Sequence, residues 1–244
     1  MKSDLRVHIA SVGFEVKRIT EPLLMERADK VYLITHLHDD KASPYLDKIL
    51  KILRKEKFLK IEKRTTNIWN LFDCLQTYKE IIKSEEGHSH IYINVSTGSK
   101  VTSIAGTLAC MIWKGTPYYV HIEYNDNKDP EDGLPDEKVN ALLELPVYSI
   151  NKPRPESITV LQIISRYKGT KIKKSKLIDE LEREGLIDKN LSSAAKHSKL
   201  KGLLSPISVS GGLENPLVDV EYKGRQSNVF MTTQGESTLK IFGQ

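Results

Sequence analysis

Ile93-Asn-Val-Ser-Thr-Gly-Ser-Lys-Val-Thr102 decides how the first part of the chain is read. The β-rich run Ile91–Val95 enters it, and Val101, Ile104, Ala105, Leu108, Ala109 and Ile112 leave it at helical spacing, so Ser96–Lys100 is a strand-to-helix loop. Unpaired backbone N–H groups at the helix start, the hydroxyls of Ser96, Thr97 and Ser99, the permissive Gly98 and the cation Lys100 suit a phosphate. The same hydroxyls equally suit plain helix capping. The Gly-x-x-x-x-Gly-Lys-Ser/Thr spacing of a Walker loop is absent.

Working outward, Arg6–Val12, Lys30–Thr35 and Tyr118–Glu123 read as strands, with Ile61–Thr65 a weaker one. Leu46, Ile49, Leu50 and Leu53 fall at helical spacing between them, as do Ile68, Leu71, Phe72 and Leu75. Such alternation forces right-handed crossovers, hence an α/β fold with a Rossmann-like, mostly parallel, doubly wound sheet. Ligands of such sheets bind at the carboxyl ends of the strands. A polar, acidic loop at 125–137 precedes one more expected strand at Ala141–Val147, and the Pro-containing 149–156 reads as a linker. The first domain is therefore expected to span residues 1–148.

Residues 157–244 change pattern. Helices are expected at Ile158–Tyr167, Lys174–Glu184 and about Leu191–Leu200, with Gly202 as a C-terminal stop. Strands at Leu217–Tyr222 and Asn228–Thr232 follow, joined by a turn containing Lys223-Gly224-Arg225, and a short helix at Glu236–Phe242 ends the pattern. Three helices followed by a two-stranded ribbon is the winged helix-turn-helix arrangement. Ser192, Lys196 and Lys199 share one face of the third helix, and with Ser193 and the wing residues Lys223 and Arg225 they could address double-stranded DNA. A solvated helix face in a domain that meets only proteins is the competing reading.

Charge divides at the same place. The whole chain of 244 residues carries +5, but residues 1–150 hold 21 basic and 22 acidic side chains against 16 and 10 in residues 151–244. The positive balance therefore belongs to the second domain, as expected of a polyanion-binding module. Two cysteines, Cys74 and Cys110, make no disulfide framework and imply a reducing interior. The first residues lack the apolar core of a signal peptide, and Val101–Trp113 is too short to span a bilayer, so a cytoplasmic chain without a membrane partner is expected.

Val7-His-Ile-Ala-Ser-Val-Gly-Phe14 leaves the first strand in a second small-residue turn at the same sheet edge. Together the two loops resemble those of the CRISPR-associated Rossmann-fold, or CARF, domains. The resemblance implies a homodimer that binds cyclic oligoadenylate, with Ser11, Val12, Gly13 and Phe14 in one loop and Ser96, Thr97, Gly98, Ser99 and Lys100 in the other. Thr97 stands where the family's commoner Ser/Thr-Gly-Gly-Thr/Ser-Lys-like loop has a glycine. With a winged helix the architecture resembles archaeal, CRISPR-linked transcription regulators and some ring nucleases. In a metal-independent ring nuclease the resemblance implies that Ser11 and Lys100 hold the ribose and stabilise the developing phosphorane charge as a 2'-hydroxyl of the ligand attacks, whereas a regulator would only sense the ring; a nucleotide-sensing or protein-interaction module without DNA binding is a third reading.

No cofactor is expected. His36, His38, Asp39 and Asp40 follow the second strand, but no distant ligand cluster matches them, so a pocket rim or plain loop is preferred to a metal site. His88 and His90 lie at the opposite sheet edge, and Trp69 and Trp113 fall in apolar helical patterns that predict core or dimer interface.

Overall fold

The computed structural model describes residues 4–87, 89–124, 137–167, 171–223 and 226–243. The chain forms two compact units, residues 1–151 and 152–244, and the division falls inside the expected linker.

Unit 1 alternates β1 (Leu5–Ser11), α1 (Val16–Met25), β2 (Lys30–His36), α2 (Ser43–Leu53), β3 (Lys60–Thr66), α3 (Leu71–Ser84), β4 (Ser89–Asn94) and α4 (Lys100–Trp113). A hairpin of β5 (Thr116–Tyr124) and β6 (Glu137–Glu144) ends the sheet, whose order is β3-β2-β1-β4-β5-β6. Every pairing is parallel except β5 with β6. The α/β expectation therefore holds: five parallel strands carry one antiparallel edge strand.

Alternation along the strands sorts the core into two layers. Ala10, Val12, Val31 and Leu33 face α1 and α2, packing against Ile19, Leu23, Ile49, Leu50 and Leu53. Ile93 and Val95 face the other way, where Gly106 of α4 lets the helix approach so closely that a Cβ there would stand 2.9 Å from Ile93. Each buried Ile or Leu removes enough apolar surface from water to favour folding by roughly 1.5–3 kcal/mol.

Polar groups lock the far edge. The Lys30 ammonium bridges Glu62 at 2.9 Å and Glu85 at 2.5 Å, tying β2 to β3 and to the end of α3. Its hydrogen bond holds the Glu62 carboxyl down at about 2, more than offsetting what burial does in the opposite direction.

One helix was missed and two expectations change. Helix α1 went unread, because Pro22 interrupts a short apolar pattern. Trp69 is 67% exposed in the turn before α3, since the helix begins only at Leu71, where the Asn70 side chain caps it; Trp113 is buried. The expected strand Ala141–Val147 runs instead over Glu137–Glu144.

Unit 2 is built from α5 (Pro155–Ser165), β7 (Ile172–Lys173), α6 (Lys174–Arg183), α7 (Ser193–Leu204), β8 (Val218–Lys223), β9 (Gln226–Met231) and α8 (Thr233–Phe242). A three-stranded antiparallel sheet of order β7-β9-β8 closes over a core including Val160, Leu161, Leu177, Leu181, Leu200 and Val229. Gly202 is not a stop: α7 continues to Leu204, and short 3-10 turns follow at Ser205–Ile207 and Val209–Gly211. Strand β7 is too short to show a period, which is why it escapes a pattern-based reading.

Candidate functional site

Strand order fixes where a ligand cleft must open. The chain winds outward from β1 through β2 to β3, then returns to β4 on the other side of β1. The loops after β1 and β4 leave for opposite faces of the sheet, and a doubly wound sheet opens its ligand crevice at this reversal. Ser11–Phe14 and Ser96–Lys100 are those two loops.

They touch through glycine backbone. A Cβ on Gly13 would stand 3.0 Å from the Gly98 nitrogen and 3.2 Å from its Cα; one on Gly98 would stand 2.5 Å from the Ser11 Cβ. Gly98 also has φ +77°, a conformation that side chains strain against, so both its space and its backbone call for glycine.

Most of the expected site side chains are already engaged. The Ser11 hydroxyl is buried against Tyr78 at 3.0 Å, and the Tyr78 hydroxyl donates on to the Thr102 carbonyl at 3.3 Å. Val12 packs in the layer beneath α1 and α2. Ser96 donates to Asn94 at 2.6 Å and accepts from the Val120 amide at 3.2 Å, joining β4 to β5. Ser99 caps α4 by accepting from the Thr102 amide at 3.1 Å, and donates to the Ile68 carbonyl at 2.9 Å. The capping that the serines predict is therefore present at Ser99.

What remains for a ligand is different in kind. The amides of Lys100 and Val101 occupy the first two positions of α4 and have no acceptor within the helix. Lys100 is exposed and forms no ion pair with any described residue. Phe14 is 47% exposed and packs edge-on against Tyr45, with ring centroids 5.2 Å apart. A helix start, a cation and an aromatic face at one sheet edge can hold a phosphate beside a planar group.

Two orphaned polar atoms mark the same place. Thr97 is 1% exposed, and its hydroxyl has no hydrogen-bond partner. Glu15 occupies the cap position of α1 without capping it; its Oε2 is buried, unpartnered and in contact with the space beside Gly13. Natural proteins leave few buried polar atoms unpaired, because each costs about 1–3 kcal/mol. Sequence reading passed over Glu15 because α1, the helix it heads, went unread.

A buried polar relay supports the β4 loop from beneath. His8 stacks on Tyr92 at 4.9 Å, its Nδ1 lies 3.3 Å from the Tyr118 hydroxyl, and Tyr118 bonds Asn94, which positions Ser96. Burial, helped by Arg6, drives the His8 pKa down to about 4, so the ring is neutral.

The residues after β2 are occupied structurally. Asp40 accepts from the Ala42 amide at 2.8 Å at the start of α2, and His36 lies 3.4 Å from the Thr66 carbonyl. Among the described residues no three His, Cys, Asp or Glu side chains converge as metal ligands. None of the described helices is long and apolar enough to cross a membrane.

In unit 2, α7 separates its expected DNA residues. Ser192 is its N-cap, accepting from the Ala195 amide at 3.3 Å, and Ser193 is exposed. Lys196 is held by Glu182 at 2.8 Å, with only 20% of its side chain exposed, so it braces α7 against α6. Lys199 is exposed and lines, with Arg154 and Gly202, an open groove of about 580 Å³ between α7 and the start of α5. His197 and Lys201 are exposed on the same helix. The Lys223 side chain and Arg225 lie outside the described residues.

A Rossmann-like α/β unit with interlocked loops at its strand-order reversal is thus joined in sequence to a small helix-and-ribbon unit. Residues 6–125 match the family model described as HFX_2341_N:-like, N-terminal. An uncharacterised protein of Methanocaldococcus jannaschii is 38% identical over 124 residues, covering 47% of this chain and 37% of that protein, so the match spans little more than a third of that relative. An uncharacterised protein of Archaeoglobus fulgidus is 21% identical over 241 residues, covering 97% of this chain and 98% of that one. Among solved structures, Csm6 of Enterococcus italicus bound to cyclic hexa-2'-fluoro-hexa-dAMP matches with a TM-score of 0.37 and 14% identity over 48% of this chain and 33% of that one. Can2 of Sulfobacillus thermosulfidooxidans in complex with cyclic tetra-adenylate matches with a TM-score of 0.42 and 9% identity over 97% and 63%.

Proposed function

We propose that unit 1 is a CARF sensor of cyclic oligoadenylate and that unit 2 is a winged helix-turn-helix that binds duplex DNA, together making a ligand-responsive transcription regulator. The interlock of Gly13 with Gly98 at the strand-order reversal carries the reading. It brings together the two loops whose residues resemble the CARF pair, and leaves the α4 amides and Lys100 for phosphate. An apolar stripe on α4 supports a homodimer: Ile104 is 54% exposed on a face it shares with half-buried Val101, Leu108 and Met111. In unit 2 the order helix, strand, helix, helix, strand, strand supports the wing, and α7 exposes Ser193, His197 and Lys201 along one side and Lys199 on the flank it shares with Lys196, cations that suit the phosphates of a groove. The Ser11 hydroxyl, turned into the core and held by Tyr78, favours sensing over cleavage by that residue.

Calorimetry with cyclic tetra- and hexa-adenylate tests the sensor. Binding of one ring per dimer is expected, weakened about tenfold or more in Lys100→Ala with no change in melting temperature. Failure of both rings to bind the intact protein overturns the ligand. Chromatography of labelled ring after incubation should show no linear product; product formation abolished in Ser11→Ala would make the protein a nuclease.

A further inference from the structure

The near-neutral charge of unit 1 conceals a segregated one. From Lys48 to Arg64 the chain carries eight basic and two acidic side chains, and one of those acids, Glu62, is already held by Lys30. This segment forms the end of α2, the turn after it and the edge strand β3. Between α2 and β3 lies a groove of about 360 Å³ with Leu50, Leu59 and Ile61 as its apolar lining and Arg54, Lys57 and Lys63 among its charged residues; Glu56 is its one acid. Lys51, Arg54, Lys55, Lys57 and Lys63 are exposed and pair with no described carboxylate. Phe58, between two groove residues, is 95% exposed.

Ordinary structural roles explain only part of this. Lysines on an edge strand discourage pairing with a foreign strand, which accounts for Lys63, and cations at a helix end complement its dipole, which accounts for Lys51 and Arg54. Neither accounts for Lys55, Lys57 and a fully exposed Phe58 in the turn, where no ladder and no helix end needs them. A phosphate chain is complementary to the unpaired cations, while a groove that presents Leu59 and Ile61 among those cations, beside an exposed aromatic ring, suits a splayed base rather than a base pair. Single-stranded nucleic acid offers both features and a duplex hides its base faces.

We infer that the α2–β3 edge of unit 1 binds single-stranded nucleic acid, with phosphates on Lys55, Lys57 and Lys63 and a base stacked at Phe58. Its residues are distinct from those of the proposed ring site and of α7, and the inference stands whether or not either of those readings does.

The test uses the full-length protein and a fluorescein-labelled oligouridylate of about 12 nucleotides, a length within the usual single-strand site sizes. Anisotropy should show binding that weakens steeply with salt, and the triple variant Lys55→Glu/Lys57→Glu/Lys63→Glu should lose about tenfold or more in affinity at low salt. Phe58→Ala should lose about fivefold or more on the single strand, as loss of one base stack implies, while leaving duplex binding unchanged. Photo-crosslinking of a 4-thiouridine-substituted strand should label the peptide containing Phe58, and Lys199→Glu/Lys201→Glu should leave that crosslink in place. Unchanged affinity in both edge variants, or crosslinks confined to unit 2, overturns the inference. Loss on charge reversal with no effect of Phe58→Ala also overturns it, in favour of a plain polyanion surface that reads no base.

Discussion

The loop pair at the β1/β4 reversal and the exposed face of α7 both suit anions, but they are made in opposite ways. At the reversal the polar side chains are spent inside the protein: Ser11 on Tyr78, Ser96 on Asn94 and Val120, Ser99 on Ile68 and Thr102. Its capacity for a ligand lies in backbone amides and one lysine, held in place by two glycines. On α7 the backbone is closed into a helix and the capacity lies in exposed side chains such as Lys199, which pairs with no described carboxylate, whereas Ser192 caps the helix and Lys196 is held by Glu182. Substitutions of the glycines and buried hydroxyls at the reversal should therefore cost stability as well as binding, and there only that of the exposed Lys100 should cost binding alone. Those on the outer face of α7 should cost binding alone.

The sharpest break in that contrast is Gly98→Ala. The new methyl would meet the Ser11 Cβ at 2.5 Å and the Thr102 hydroxyl at 2.9 Å, on a backbone with φ +77°. Strain and overpacking together should cost roughly 3 kcal/mol, read as a lower urea midpoint of unit 1 with ring binding lost. A variant with unchanged stability would mean that the interlock does not hold the loops.

Acid should act next most strongly, also on unit 1. The unfolded chain protonates His8 near 6.5 and the fold only near about 4, so the unfolded state takes up the proton first. Stability is thus complete above pH 6.5, falls between there and about 4 by up to about 3 kcal/mol, and loses nothing more to this group below. Arg6 strengthens the depression and Asp29 opposes it, while Tyr92 and Tyr118 cover the ring. Glu62 adds a second loss as pH falls from 4.5 towards about 2. Hydrogen exchange followed through the pH range should show unit 1 opening on acidification, and His8→Gln should flatten the upper part of the profile. A wild-type profile level from pH 7 to 4 would remove His8 from the account.

The same contrast explains what the sequence made legible. Strand and helix periods identified the parallel sheet, and small residues after two strands located both loops, because close backbone approach and helix starts restrict residue choice. The destinations of the hydroxyls were not legible, since Tyr78 lies 67 residues from Ser11 and Val120 lies 24 from Ser96. Nor was the burial of the Glu15 carboxylate beside Gly13, which only the contact of the two loops makes visible. On α7 spacing alone put Lys196 and Lys199 on one face. Only the packing of α6 separates them, because Glu182 reaches the first and not the second.

That pair supplies the finest test. Lys196→Glu sets a carboxylate against Glu182 at a contact with 15–20% side-chain exposure, so unit 2 should lose about 1 kcal/mol in denaturant melts. Lys199→Glu breaks no contact with a described partner and should leave the melt within about 0.5 kcal/mol, as expected for an exposed substitution. On duplex DNA the order should reverse: Lys199→Glu weakens binding at all sequences and lowers the slope of log affinity against log salt by about one, the mark of a lost phosphate contact. Lys196→Glu should retain most of that slope in protein that remains folded. If instead both variants melt alike and both lower the slope, the Lys196–Glu182 bridge gives way to DNA, and α7 offers two phosphate contacts on this flank rather than one.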